Sequence, residues 1–167
     1  MTIAVYPGSF DPITLGHVDI LTRASQMFDQ VIMAVVKNPG KQPNIPIQVR
    51  VEQVRQSVSH LSNVAVEAFE GLTVDLAKSH NAKVIIRGLR AVSDFEYECA
   101  MSQMNKRLCP DVETVFMMAG LEYQFLSSSM TNEVAKLGGN IQGLVPEHVR
   151  QYLNQRWEGA GHDHRTQ

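Results

Sequence analysis

The chain lacks the residues that staple a small fold from outside. Its 167 residues include two cysteines, Cys99 and Cys109, and one tryptophan. Two cysteines without metal-type spacing suggest neither a disulfide framework nor a zinc site, and both read as reduced thiols. Charge is scarce as well, at 19% of residues with a formal net of −2. A general nucleic-acid binder carries a basic surface, so that class is set aside and any positive patch must be local. No apolar run is long enough to span a bilayer, and the first residues show no basic n-region or h-region of an export signal. The expectation is a cytoplasmic protein with neither membrane nor nucleic-acid partners. No Ser/His/Asp triad and no metal-ligand spacing stands out, so no residue is assigned to hold a metal.

What is present is an alternation of short apolar runs and amphipathic stretches. Thr2–Tyr6, Val31–Val36, Asn63–Glu67, Lys83–Arg87 and Thr114–Met118 read as strands, the second a continuous apolar run suited to burial on both faces. Between them, helical spacing runs over Val18–Phe28, roughly 47–61, Thr73 to about His80 and Ser93 to about Leu108. Thr73 is expected as an N-cap, and Ser93 with Glu96 as a capping box. Ser127-Ser128-Ser129 precede a helix that Gly138-Gly139 stops, and Pro146 is expected at the first position of a last helix. The fold class is therefore α/β: a Rossmann-like dinucleotide-binding fold with a five-stranded, mainly parallel sheet and helices on both faces. One domain is expected over 1–157, with 158–167 a disordered tail.

In such sheets the ligand lies beyond the C-terminal strand ends. Four loops follow strands and can converge there: Tyr6–His17, Lys37–Gln42, Arg87–Arg90 and Met118–Ser129. The first is rich in Gly and Pro and runs into a helix N-terminus, which offers N–H groups and a positive dipole end to an anion. Ser9, Thr14 and His17 are its side-chain donors, and the dipole lowers the His17 pKa. Lys41, Arg87 and Arg90 supply cations, and Arg87 ends an apolar strand, where its charge must meet solvent or a partner. Together these residues suit an enzyme of phosphorylated small molecules. Each also has a plainer reading: Lys41 as a solvated loop lysine, the serines as an N-cap, His60 and His80 as helix-end side chains.

Gly8-Ser9-Phe10-Asp11-Pro12 followed by Thr14-Leu15-Gly16-His17 resembles the signature of the nucleotidyltransferases with a (H/T)xGH motif, kin to class I aminoacyl-tRNA synthetases. Ile86-Arg87-Gly88-Leu89-Arg90 through Asp94-Phe95-Glu96-Tyr97-Glu98, with Phe125–Ser129, resembles the bacterial phosphopantetheine adenylyltransferases more specifically. Thr14 stands where many superfamily members have a first histidine, and the synthetase KMSKS lysines are absent. The resemblance implies transfer of adenylyl from ATP to 4′-phosphopantetheine, giving dephospho-CoA and pyrophosphate, in a homohexamer, with CoA as a feedback ligand. It implies His17 as transition-state stabiliser, with Lys41 and Arg90 also in the catalytic set. It places Ser9, Phe10, His17, Gly88, Leu89, Arg90, Glu98, Tyr123, Gln124, Phe125, Leu126, Ser127, Ser128 and Ser129 with ATP. Ser9, Lys41, Thr73 and Arg87 fall with the acceptor. Mg²⁺ is expected to arrive with ATP, held mainly by phosphates and water. Two alternatives stay open: a related enzyme acting on nicotinamide mononucleotide or, with CTP, on a phosphorylated alcohol; or a non-catalytic nucleotide-binding module.

Overall fold

The computed structural model describes residues 1–40, 42–90 and 92–158, without the side chains of residues 92 and 93. In chain order these form β1 (Ile3–Gly8), α1 (Leu15–Met27), β2 (Gln30–Val36), α2 (Ile47–Val58), β3 (Val64–Phe69) and α3 (Thr73–Ser79). Then come β4 (Val84–Leu89), α4 (Val92–Leu108), β5 (Glu113–Met118), a 3₁₀ turn at Leu121–Tyr123, α5 (Ser128–Lys136) and α6 (Glu147–Glu158). The sheet order is β3-β2-β1-β4-β5, and every neighbouring pair is parallel.

Strand side chains alternate between faces, and this alternation splits the core in two. Ala4 and Tyr6 of β1, Val31, Met33 and Val35 of β2, and Ile86 of β4 join one apolar cluster with α1, α2, α5 and α6. Val5, Ile32, Ala34 and Ile85 join the other, beneath α3 and the turn at Cys109–Val112. Two buried faces explain why the central strands read as unbroken apolar runs. Each fully buried Ile, Val or Leu here contributes roughly 1.5–3 kcal/mol, so strands and helices hold one another in place.

Several boundaries differ from the sequence expectations, each for a local reason. β1 runs on through Pro7 and Gly8, because β2 pairs with it that far. α1 begins at Leu15 rather than Val18, with Thr14 as its N-cap. Thr73 is the first helical residue and not a cap; Leu72 takes the cap position with no side-chain hydrogen bond. α4 begins at Val92, one residue before the expected cap Ser93, whose side chain lies outside the described residues. Pro146 precedes α6 instead of opening it, and its carbonyl accepts from the Arg150 N–H. The expected tail beyond Glu158 also lies outside the described residues.

Candidate active site

The site begins with a parting of strands. β1 pairs with β2 along its whole length, but with β4 only at Ala4–Val84 and Val5–Ile85. The two central strands therefore separate toward their C-terminal ends, where the strand order also reverses. That is where an open α/β sheet leaves a crevice. Gly88 sits in the gap. A Cβ there would lie 2.7 Å from Ile20 Cδ1 and 3.5 Å from the Tyr6 hydroxyl. The glycine thus lets α1 pack against β4, a role separate from any approach of a nucleotide.

The loop after β1 builds a neutral donor from a capping box. The Thr14 hydroxyl accepts from the His17 N–H at 3.4 Å, while the Thr14 N–H donates to His17 Nδ1 at 3.0 Å. An Nδ1 that accepts carries no proton, so the imidazole proton resides on Nε2. Histidine here does the work usually given to glutamate at this position of the box. The Phe10 ring meets the imidazole edge-on, with centroids 5.1 Å apart, and Tyr6 stacks on Phe10 in the same manner. Burial first, then the charges of Arg90 and Arg87, push the His17 pKa down to about 4. At neutral pH the ring is an uncharged Nε2–H donor bordering the crevice. Thr14, expected as a second donor, is buried and spends its hydroxyl on the cap.

The opposite wall supplies cations held by carboxylates. Arg87 donates through Nε and Nη2 to both oxygens of Glu98, at 2.8 and 2.6 Å, and through Nη1 to the Pro7 carbonyl at 3.0 Å. Hydrogen bonding to Glu98 raises the Arg87 pKa further. Arg90 pairs with Asp94 one turn into α4 and donates to the Leu126 carbonyl at 3.2 Å. The third wall is the N-terminus of α5. Ser127 caps the helix by accepting from the Met130 N–H, and Ser128 Oγ donates to the Pro12 carbonyl at 2.7 Å. That leaves the Ser128 and Ser129 backbone N–H groups and the Ser129 hydroxyl, rather than three free hydroxyls, as the helix's offer to an anion.

Three connected hollows share Arg87. The innermost lies over His17, Gly88 and Tyr123; the second opens past Arg90 toward Ser127–Ser129; the third runs by Thr73, Tyr97 and Asn105. Ser9 stands between the first and third, and Glu98 between the second and third. Phe10 and Leu126 line the innermost hollow, whereas Leu89 is buried and lines none of the three, and Gln124 and Phe125 are exposed and line none either. Lys41 lies outside the described residues. Among those described, no group of three His, Cys, Asp or Glu is placed to hold a metal ion. The carboxylates that line the crevice, Glu98 and Asp94, are each paired with an arginine, an arrangement that fits a magnesium ion carried in on phosphates rather than one caged by protein.

Residues 5–134 match the cytidylyltransferase-like family. The chain is 58% identical over 149 residues to a phosphopantetheine adenylyltransferase of Heliobacterium modesticaldum, covering 89% of each chain. It is 51% identical over 161 residues to that of Carboxydothermus hydrogenoformans, covering 96% of this chain and 99% of the relative. The chain belongs to the phosphopantetheine adenylyltransferase family. In fold it is similar to a putative nicotinate-nucleotide adenylyltransferase from Vibrio parahaemolyticus, with TM-score 0.69, 16% identity and 93% of each chain covered.

Two charged residues that hold the loops in place were given no role by the sequence reading. Asp11 accepts from the N–H groups of Asn44 and Ile45, at 2.8 and 2.9 Å, pinning the loop after β2 to the loop after β1. Arg50 on α2 answers from the other side. It is 3% exposed and donates to the carbonyls of Ile45 at 2.9 Å, Ser9 at 2.6 Å and Val36 at 3.4 Å. A buried guanidinium is tolerated when its hydrogens are met this way, although burial lowers its pKa against the pull of Asp11. The sole hint in sequence is an arginine placed beside the apolar stripe of α2.

Proposed function

We propose that the chain transfers the adenylyl group of ATP to 4′-phosphopantetheine, giving dephospho-CoA and pyrophosphate. The observation that carries this reading is a neutral Nε2–H donor facing two arginines across one crevice, in a chain that shares 58% identity with an enzyme of that name. The nucleophile is a phosphate oxygen of the acceptor, largely ionised at neutral pH because its second pKa is about 6. It forms a bond to the α-phosphorus while the bond to the pyrophosphate oxygen breaks, and no general base is required. The protein's task is to bring two anions together and stabilise charge that grows at the α-phosphate. His17 donates from Nε2 to that oxygen. A neutral donor suits the role, since it holds no proton that the phosphate could strip at working pH.

In this reading Arg87, with Thr73 and Ser9 beside it, meets the acceptor, and the resemblance adds Lys41 to that set. Arg90 and the α5 N-terminus meet the triphosphate, with Phe10, Tyr123 and Leu126 around the nucleotide. Mg²⁺ would enter with ATP and neutralise charge on the phosphates. Dephospho-CoA, and CoA as a feedback ligand, would occupy the same crevice. Among the described residues no helix is long and apolar enough to cross a membrane, in keeping with a cytoplasmic site of action. An interface between copies is supported by α4, where Tyr97, Met101, Met104 and Leu108 lie exposed at helical spacing with Phe95 beside them, and the resemblance makes that assembly a homohexamer. Pyrophosphate release from ATP across a panel of acceptors tests the reaction. Release with phosphopantetheine is expected; release with nicotinamide mononucleotide in its place would overturn the reading.

A further inference from the structure

The loop between β5 and α5, residues 119–127, carries Tyr123 and Leu126 to the innermost hollow, yet Leu121 is 85% exposed and Phe125 62%, so its own packing does little to hold it. It is fastened near its two ends. At the far end Arg90 donates to the Leu126 carbonyl. At the near end the fastening comes from α1. Asp19 Oδ2 accepts from the Gly120 N–H at 3.1 Å and from Arg23 Nη2 at 2.8 Å, and the same nitrogen donates to the Met118 carbonyl at 2.5 Å. The Gly120 carbonyl in turn accepts from the Tyr123 N–H at 2.8 Å, closing the 3₁₀ turn. That turn lays Tyr123 over Gly16, the residue before His17: a Cβ on Gly16 would lie 3.3 Å from the Tyr123 Cβ. By charge alone Asp19 is out of place. Its field reaches the innermost hollow, where burial raises the Tyr6 pKa, Arg87 lowers it and Asp19 raises it again. A negative charge there works against an anion, and the hydrogen bond to Gly120 is the gain that offsets it.

We propose that Asp19 is a positioning residue for the nucleotide wall: through the Gly120 N–H it seats the loop after β5 on the helix that carries His17. This rests on the adenylyl-transfer reading above, which puts Tyr123 and Leu126 around the nucleotide. Arg23 completes the clasp by holding the carboxylate and the last carbonyl of β5 at once. With the turn seated in advance, Tyr123 and His17 keep a fixed spacing, and the loop loses less freedom when the nucleotide arrives. Asn38, Thr73 and Asn105 line the third hollow, which the clasp does not border. Nucleotide and acceptor should therefore respond differently to its loss.

The test is calorimetric titration of wild type, Asp19→Ala, Asp19→Asn and Asp19→Glu with a non-hydrolysable ATP analogue and with 4′-phosphopantetheine. In Asp19→Ala the ATP analogue should bind roughly tenfold more weakly, the size of one charge-assisted hydrogen bond. Phosphopantetheine should bind within about twofold of wild type. Asp19→Asn keeps an oxygen for the Gly120 N–H and should recover most of the loss. Asp19→Glu keeps the charge but displaces the oxygen by one methylene, and should show the same split at smaller size. It serves if the alanine variant does not fold. The field of Asp19 acting alone gives the opposite result, since either neutral variant would then bind the ATP analogue more tightly. Unchanged or tighter ATP-analogue binding in Asp19→Ala, a loss in Asp19→Asn as large as in Asp19→Ala, or equal losses for both ligands would overturn the inference while leaving the function standing. Wild-type protein that binds no ATP analogue would overturn both.

Discussion

The wall after β1 and the wall after β4 satisfy their polar groups by different means. After β1 the partners are local in sequence or are backbone atoms: Thr14 and His17 cap each other, Asp11 takes amide N–H groups, and Arg50 takes three carbonyls. After β4 the partners are side-chain charges of opposite sign, Arg87 with Glu98 and Arg90 with Asp94, both borrowed from α4. Backbone partners cannot leave without unfolding something, so the first wall is fixed and uncharged at its tip. Side-chain pairs can share a cation with an incoming anion, so the second wall is ready to be recruited. An enzyme joining two polyanions needs both: a rigid donor where charge grows, and cations where charge arrives.

The contrast can be broken at His17. Replacing it with alanine should cut turnover by about 10²–10³, the scale for removing one transition-state donor, and leave ATP binding close to wild type. Steady-state kinetics beside direct titration would show it, and near-normal turnover would end the assigned role. Arg50→Met should act on stability first. It strands the Ser9, Val36 and Ile45 carbonyls and is expected to cost about 3 kcal/mol in denaturant unfolding. A loss below the scatter of the measurement would mean that the first wall does not depend on it.

A smaller effect should appear with pH. His17 stays neutral in the folded chain down to about pH 4, while in the unfolded chain it titrates near 6.5. Across that window the unfolded state takes up a proton that the folded state refuses, so stability falls as the pH drops from about 6.5 to about 4. His17→Gln should flatten the melting temperature over the same range; an unaltered slope would place the titration elsewhere. Smallest is Gly88→Ala, whose new methyl meets the flexible end of Ile20. It should cost about 1 kcal/mol, and Ile20→Val should recover much of it. If Ile20→Val gives no recovery, the glycine serves the crevice and not the helix packing.

The Gly/Pro-rich loop, the strand–helix alternation and the two arginines flanking Gly88-Leu89 were all legible, because each has a local signature in composition or period. The bounds of α1 were less so. Thr14 and His17 form a capping box with a histidine in the glutamate's place, and propensity alone sets that start three residues late. The Ser127–Ser129 run was read both as an N-cap and as donors to ATP; Ser127 does cap the helix, and Ser128 ties it to the first loop, which no local signal announced. The roles of Asp11 and Arg50 were invisible, since their partners are backbone groups 34 and 41 residues away that any residue possesses.

By itself the sequence determined which segments are strands, which loops carry the cations, and that one histidine stands at a helix start beside them. Those follow from side-chain chemistry over a few residues. The tertiary structure decided that β1 parts from β4 to open the crevice, that Nδ1 of His17 is the nitrogen without a proton, and that Arg87 is anchored by Glu98. Each of these depends on groups brought together across the sheet, where burial and a fixed partner replace water, and local sequence carries no record of that exchange.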